Sequence, residues 1–134
     1  MRLSAGEVRK LLSRMIRRCD TYQQTGGIHS AAIANKGSIL LFAEDVGRHN
    51  AVDKVIGRAY MDSMDLGDKL LLCTGRISSE ILVKAARSGL PVVVSRTSPT
   101  DLSARQAEKL GITLIGFVRG GNVSIYSGMQ RIID

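Results

Sequence analysis

The sequence predicts a single α/β domain over residues 1–134, with three α-β-α layers built around a mixed β-sheet. Two observations predict it. The first apolar runs of strand length are a pair separated by a short turn, and the later ones alternate with helical segments of about ten residues or more. In addition, the 134 residues are 44% hydrophobic and 23% charged, which is ordinary usage for a chain that buries a core.

A basic amphipathic helix over residues 5–18 is predicted to open the chain. Ser4 and Glu7 have the spacing of a capping box. Residues 1–20 carry six basic and two acidic side chains, a net +4 out of the chain's +7. We interpret the outward face as solvated surface in preference to a binding face for RNA or an acidic protein. The apolar residues at helical spacing are Val8, Leu11, Leu12, Met15 and Ile16.

Residues 21–134 are predicted to form the α/β core. A β-hairpin comes first, because two apolar runs flank the turn-forming residues 35–37. Three helices then alternate with three strands before a last edge strand, which predicts a largely parallel sheet made mixed by the hairpin. The predicted strands are 28–34, 38–43, 69–73, 91–94, 112–118 and 123–126, and the predicted helices have their apolar faces over 52–60, 81–86 and 102–110, the last two stopping at Gly89 and Gly111.

Three strand-to-helix turns are unusually polar, and each contains one arginine. Such turns meet at the carboxyl edge of parallel strands, where helix N-termini offer N–H groups and a positive dipole to anions. Arg48, Arg76 and Arg96 would add guanidinium forks suited to phosphate, so we predict a phosphate-bearing ligand there. The candidate binding residues are Glu44, Asp45, Gly47, Arg48, His49, Asn50, Asp53 and Lys54 from the first turn and its helix, Gly75, Arg76, Ser78, Ser79 and Glu80 from the second, and Ser95, Arg96, Ser98 and Thr100 from the third.

Simpler interpretations exist for several of these residues. Ser78 or Ser79, and Ser98, are equally suited to capping helices. His29 and His49 are the only histidines, and each is either a general acid/base or a hydrogen-bonded structural residue. Asp53 and Glu80 are candidates for polar groups on a base or ribose.

The segment that precedes the first strand adds a weaker signal. The paired glycines of Thr25, Gly26, Gly27 and His29 would allow a tight turn or a close approach to a ligand. No P-loop and no Gly-x-Gly-x-x-Gly fingerprint occurs in the sequence, so phosphate recognition has to be assembled from several turns. The His-x-Glu and Pro-Cys-x-x-Cys signature of zinc deaminases is also missing, which disfavours deaminase chemistry.

Cysteine content and hydropathy exclude other classes. Cys19 and Cys73 are far apart and have no neighbour at metal-ligand spacing, so neither a disulfide framework nor a structural metal is predicted. No apolar run is long enough to span a bilayer, and the N-terminus lacks a signal-peptide core, so we expect no membrane contact and a cytoplasmic protein.

Five segments together resemble the formate dehydrogenase accessory sulfurtransferase (FdhD) family, and the resemblance covers almost all of residues 21–134. The block at 44–54 is the most specific, because packing rules do not demand eleven matching residues in an exposed turn. The segments are Thr-Gly-Gly-Ile-His at 25–29, Glu-Asp-Val-Gly-Arg-His-Asn-Ala-Val-Asp-Lys at 44–54, Gly-Arg-Ile-Ser-Ser-Glu at 75–80, Ser-Arg-Thr-Ser-Pro-Thr at 95–100 and Gly-Ile-Thr-Leu-Ile-Gly-Phe-Val-Arg-Gly at 111–120.

The resemblance implies a cytidine-deaminase-like fold without deaminase activity, in a homodimer. It implies binding of the guanine-nucleotide part of a molybdenum or tungsten pterin cofactor, such as bis-molybdopterin guanine dinucleotide, which GDP would mimic. It also implies sulfur transfer, through a cysteine persulfide, from a cysteine desulfurase to the cofactor of formate dehydrogenase.

Family members carry an upstream domain and a mobile loop with a cysteine pair, which have no counterpart in these 134 residues. Cys73 is expected to be buried at the end of a strand. Cys19 lies beside Arg17 and Arg18, which would favour a thiolate, but a sulfur carrier also has to be exposed. We therefore interpret the chain as the C-terminal, nucleotide-binding half of such a protein, unable to transfer sulfur alone.

Two other classes compete with this interpretation. A nucleic-acid-binding module would explain the basic first helix, and a non-catalytic scaffold for a dehydrogenase would explain a fold without chemistry. The first is disfavoured because single-stranded nucleic acids need stacking platforms. The aromatic residues are only Tyr22, Phe42, Tyr60, Phe117 and Tyr126.

Overall fold

The computed structural model describes residues 1–19, 27–119 and 122–133. Within these residues, four α-helices and six strands follow the predicted order, and a short 3₁₀ turn at Met129–Arg131 follows the last strand. The helices are α1 (Ala5–Arg18), α2 (Arg48–Met61), α3 (Ser79–Arg87) and α4 (Asp101–Leu110). The strands are β1 (His29–Ala34), β2 (Ile39–Asp45), β3 (Leu70–Cys73), β4 (Val92–Ser95), β5 (Thr113–Arg119) and β6 (Asn122–Ser127).

The described strands form one mixed sheet in the order β2-β1-β3-β4-β5-β6. The predicted hairpin of β1 and β2 is confirmed, but the prediction of a largely parallel sheet is wrong. Strand β1 lies antiparallel to both β2 and β3, and β6 is antiparallel to β5, so only β3–β4 and β4–β5 are parallel pairs. Because β2 and β3 both run opposite to β1, the carboxyl ends of β2, β3 and β4 still share one edge.

The predicted three layers are confirmed, with helices on both faces of the sheet. Helix α1 packs Val8, Leu11, Leu12 and Met15 on one face, and α2, α3 and α4 cover the other. Side chains of the central strands alternate between the two apolar clusters, as the pleat requires. In β3, for example, Leu71 and Cys73 belong to the cluster under α2–α4, whereas Leu70 and Leu72 belong to the cluster under α1.

The capping box at the start of α1 is present. Ser4 Oγ accepts a hydrogen bond from Glu7 N at 3.1 Å, and Glu7 Oε1 accepts one from Ser4 N at 2.8 Å. Leu3 N donates to Arg131 O at 2.8 Å and Ile133 N donates to Leu3 O at 2.9 Å, a pairing that local sequence patterns did not predict. The basic helix α1 is therefore one layer of the same domain and packs directly on the sheet.

The first polar turn is shorter than predicted. Strand β2 continues to Asp45 and α2 begins at Arg48, so only Val46 and Gly47 lie between them. The predicted helix stop at Gly111 is confirmed, because this glycine caps α4 in the left-handed conformation with φ 72°.

Candidate functional site

The candidate site lies where β1 begins and β2, β3 and β4 end. His29 at the start of β1 pairs with Asp45 at the end of β2, and Ala31 pairs with Cys73 at the end of β3. The turns that follow β2 and β3 therefore stand on either side of His29. The sheet edge thus places the first two of the three predicted turns beside the histidine that precedes them, and the third turn follows β4, the neighbour of β3.

Gly75 is the closest point of contact between these segments. A Cβ at this position would lie 2.9 Å from Arg48 Cβ and 3.1 Å from His29 Nδ1. The absence of a side chain at Gly75 thus lets Arg48 from α2 and His29 from β1 pack against the backbone after β3. We refer to His29, Arg48 and Gly75, which these contacts join, as the edge cluster; Glu44 lies at the same edge of the sheet, opposite Ser30 of β1.

Three buried polar atoms near this edge of the sheet have no hydrogen-bond partner among the described residues. They are His29 Nδ1, Glu44 Oε2 and Arg48 Nε. A buried polar group without a partner costs about 1–3 kcal/mol, so native structures rarely retain one without a reason such as a ligand. The guanidinium of Arg48 and the imidazole of His29, both in the edge cluster, favour a polar, partly anionic ligand.

Asp45 holds the first turn against the start of α2. Its Oδ1 accepts hydrogen bonds from Gly47 N at 3.0 Å and Asn50 Nδ2 at 3.3 Å, and its Oδ2 forms an ion pair with Lys54 Nζ at 2.9 Å. These contacts, the backbone hydrogen bond from Gly47 first, lower the pKa of Asp45 from 3.8 to about 2. Lys54 Nζ also donates to the carbonyl oxygen of Glu44 at 2.9 Å. Asp45, Asn50 and Lys54 therefore hold the backbone segment that carries Glu44 and Arg48 in place.

The second and third turns are tied together through Ser95. Its Oγ donates to Gly75 O at 2.8 Å and accepts from Thr97 N at 3.0 Å. Arg96 N donates to Cys73 O at 3.1 Å, which fixes the backbone that carries the Arg96 side chain. Ser95 is fully buried, so its role is to hold Gly75 in place.

Several predicted residues are engaged in structural contacts. Ser78 caps α3 by accepting from Ile81 N at 3.3 Å, as the capping interpretation predicts, and Ser79 Oγ donates to Gln106. Thr100, not Ser98, caps α4, so the predicted cap at Ser98 is wrong. The helix starts two residues later than that interpretation requires.

The remaining predicted site residues lie farther along α2, at the surface, or partly buried in the turns. Asp53, in the second turn of α2, forms an ion pair with Lys84 of α3 at 2.8 Å. Arg76 and Glu80 are exposed, whereas His49, Arg96 and Ser98 are partly buried, and Gly47 is the N-cap of α2. Thr25 and Gly26 lie outside the described residues, and Gly27 is exposed.

Sequence reasoning missed the hydrogen bonds behind the edge cluster. Ser30 N donates to Thr74 Oγ1 at 2.9 Å, and Cys19 Sγ donates to Ser30 Oγ at 3.0 Å. It also missed Gly116, where a Cβ would lie 2.8 Å from Thr97 O. A glycine inside an otherwise apolar strand was the available signal for such a close approach.

Neither cysteine has the exposure that a sulfur carrier needs. Cys19 is fully buried beneath α1, and its Sγ donates to Met15 O at 3.1 Å as well as to Ser30 Oγ. The expected burial of Cys73 is confirmed, and desolvation raises the pKa of its thiol to about 12. The basic neighbours Arg17 and Arg18 are exposed, whereas the Cys19 thiol points into the core.

Two features are absent from the described residues, a cluster of metal-ligating side chains and a helix suited to a membrane. No three His, Cys, Asp or Glu side chains in residues 1–19, 27–119 and 122–133 are grouped so that they could hold a metal ion. Among the helices of the same residues, none combines the length and the apolar character required to cross a bilayer.

Comparison with known proteins places this geometry in a family context. The FdhD/NarQ family model matches residues 1–133. The sulfur carrier protein FdhD of Listeria innocua is 42% identical over 132 residues, which are 98% of this chain and 51% of that protein. The protein of the same name from Bacillus subtilis is 47% identical over 112 residues, 84% of this chain and 43% of that protein. The chain thus spans about half the length of these relatives.

Solved structures show the same relationships. A formate dehydrogenase accessory protein from Desulfotalea psychrophila superposes with a TM-score of 0.90 at 32% identity, over 98% of this chain and 56% of that one. A deaminase/reductase from Thermotoga maritima superposes with a TM-score of 0.63 at 17% identity, over 82% of this chain and 37% of that one. This second likeness shows a shared fold only, in agreement with the deaminase-like architecture expected.

Proposed function

This chain belongs to the FdhD/NarQ family, and on that premise we propose that it is the nucleotide-binding half of a sulfur carrier that acts in formate dehydrogenase maturation. Its ligand is the guanine-nucleotide part of a molybdenum or tungsten pterin cofactor, bound at the edge cluster. The observation that carries the proposal is the set of three buried polar atoms without partners, on His29, Glu44 and Arg48.

The chemistry of these atoms fits a guanine nucleotide. The Arg48 guanidinium can donate hydrogen bonds to a phosphate oxygen. The first N–H groups of α2 can do the same, because Gly47 has no side chain to cap them. The unpartnered Oε2 of Glu44 is an acceptor suited to the N–H donors of guanine, which an adenine does not present in the same pattern. His29 Nδ1 is left for a ribose or base group.

Sulfur transfer is not assigned to either cysteine of this chain. Sulfur transfer to a bound cofactor would proceed from a cysteine persulfide, and this needs a thiolate that reaches both donor and acceptor. Cys19 and Cys73 are both buried, so the proposed carrier cysteine belongs to the half of the longer relatives that this chain does not match. A cysteine desulfurase, formate dehydrogenase and a second copy of the protein are its proposed partners.

Isothermal titration with GDP and ADP tests the proposal. GDP should bind, and ADP should bind about tenfold more weakly, since one lost base contact is worth about 1–3 kcal/mol. Arg48→Ala should weaken GDP by about 10- to 100-fold, the value of a charge-assisted hydrogen bond. Arg87→Ala, an exposed arginine at the end of α3, is the matched control and should leave affinity unchanged. Equal failure of both nucleotides at millimolar concentration would remove the nucleotide function.

A further inference from the structure

The outward face of α1 carries a rigid array of cations. Arg9 and Arg17 flank Ser13 on one i, i+4 ridge, and Lys10, Arg14 and Arg18 form the adjacent ridge. All six of these side chains are exposed, while the opposite face of α1 is anchored in the core. We call the six residues the α1 basic face; Arg9, Lys10, Ser13, Arg14 and Arg17 of this face line an open depression.

Four of the five cations of this face, Lys10, Arg14, Arg17 and Arg18, take part in none of the ion pairs of the described residues. Those ion pairs involve Lys54, Arg58, Lys69 and Lys84. Glu7, the one acid in the first turn of α1, is committed to the capping box. Arg14 Nη1 donates to Gly37 O of the hairpin, which orders a guanidinium and leaves its charge uncompensated.

We propose that the α1 basic face docks an acidic segment of a partner protein. Neighbouring cations on such a ridge are about 6 Å apart, which matches the spacing of carboxylates at i, i+4 on a partner helix. An arginine guanidinium can also donate two parallel hydrogen bonds to one carboxylate. The described exposed side chains of the face are arginine, lysine and serine, so the face has no aromatic platform on which the bases of a single-stranded nucleic acid could stack. Charge complementarity therefore favours an acidic protein segment over RNA.

The position of α1 gives this docking a functional consequence. The helix ends at Cys19, whose Sγ donates to Ser30 Oγ, next to His29 of the edge cluster. A partner seated on the α1 basic face would lie on the sheet face opposite α2–α4, and the contact of Arg14 with Gly37 places part of that face toward the hairpin turn, away from the candidate site. The docking surface and the nucleotide site are consequently separable by mutation, and one can fail without the other.

The test uses a fluorescein-labelled oligoglutamate peptide as the acidic probe and fluorescence anisotropy as the readout. The triple variant Lys10→Gln, Arg17→Gln, Arg18→Gln should bind the peptide about tenfold more weakly than the wild type, which corresponds to three modest charge contacts. The triple variant Arg87→Gln, Arg105→Gln, Lys109→Gln makes the same charge change on exposed residues of α3 and α4 and should bind within about twofold of the wild type. Both should bind GDP as the wild type does.

A second variant guards against loss of folding. Ser13→Glu places a carboxylate between Arg9 and Arg17 and replaces serine by a residue that favours helix, so it should stabilise α1 and still weaken peptide binding several-fold. Equal weakening by the α1 and α3/α4 triple variants would overturn the proposal, because net charge alone would then explain binding. Tighter binding of a single-stranded RNA than of the peptide, lost in the same α1 variant, would overturn it in favour of a nucleic-acid surface.

Discussion

Gly75 and Arg48 are packed so closely that no side chain fits at position 75. A Cβ there would lie 2.9 Å from Arg48 Cβ, closer than real Cβ contacts come, and 3.3 Å from Arg48 Cδ. Arg48 Cβ is the first atom of its side chain and cannot swing away without moving α2. The glycine is therefore required by the approach of the two segments that build the edge cluster.

Gly75→Ala should displace Arg48 and His29 and weaken the proposed GDP binding. Forcing an extra methyl into a filled contact costs about 1–3 kcal/mol, so the melting temperature should fall as well. Differential scanning calorimetry and isothermal titration measure the two effects. Gly57→Ala is the matched control: nothing lies within 4 Å of its added Cβ in α2, so it should stabilise the protein by about 0.5–1 kcal/mol. A Gly75→Ala protein with wild-type stability and GDP affinity would contradict the packing argument.

Asp45→Asn should destabilise the protein at neutral pH and lose that effect in acid. Because the pKa of folded Asp45 is lowered from 3.8 to about 2, its contribution to the free energy of unfolding is fully present above about pH 4 and disappears as the pH falls through about 2. Urea titrations of both proteins at several pH values measure the difference between them, which cancels the other carboxyl groups. Lys54→Met removes the ion-pair partner and should reduce the same pH dependence. A difference that persists below about pH 2 would show that the Asp45 charge is not its source.

Ser4→Ala should loosen α1 and lower stability by about 1 kcal/mol, because the Glu7 amide loses its side-chain acceptor. Thermal unfolding followed by circular dichroism measures the change. Ser13→Ala is a serine-to-alanine change on the exposed face of the same helix, and it should be neutral or slightly stabilising. Equal effects of the two substitutions would mean that the capping box contributes nothing.

Local patterns predicted the elements, because capping, turn residues and apolar periodicity are local properties. The capping box at Ser4 and the stop at Gly111 are confirmed for that reason. The insertion of β1 between β2 and β3 depends on long-range pairing, and the prediction of a largely parallel sheet failed there. A signal was present in the run Ala31–Ala34, which is fully buried on both faces and is typical of a central strand.

The location of the candidate site could be predicted from the sequence more fully than the side chains that form it. The sequence indicated the carboxyl edge, where the structure brings Arg48, His29 and Gly75 together. Which polar residues point into it depends on helical phase and on partners from other elements. Asp53 is taken up by Lys84, and Thr100 caps α4 where Ser98 was expected to, and neither outcome is visible in the residues around those positions.

The two thiols should be inert in the native protein. With a pKa of about 12, the Cys73 thiol would be ionised in only about one molecule in 10⁵ at neutral pH, and the thiolate is the nucleophile. The single S–H of Cys19 is shared between the acceptors Met15 O and Ser30 Oγ, at 3.1 and 3.0 Å, in a fully buried position. Iodoacetamide should therefore modify neither residue until the protein is denatured, and then both, as mass spectrometry would show.

The same burial predicts that the native domain carries no sulfur on its own two cysteines. Incubation with a cysteine desulfurase and cysteine should leave the native chain free of persulfide by mass spectrometry, because attack on the donor requires an accessible thiolate. Cys19→Ser retains a donor for Ser30 and should fold normally, whereas Cys73→Ser buries a hydroxyl in an apolar cluster and should cost about 1–3 kcal/mol. A persulfide that forms on the wild type, is absent from Cys19→Ser and passes to the cofactor would instead make Cys19 the carrier.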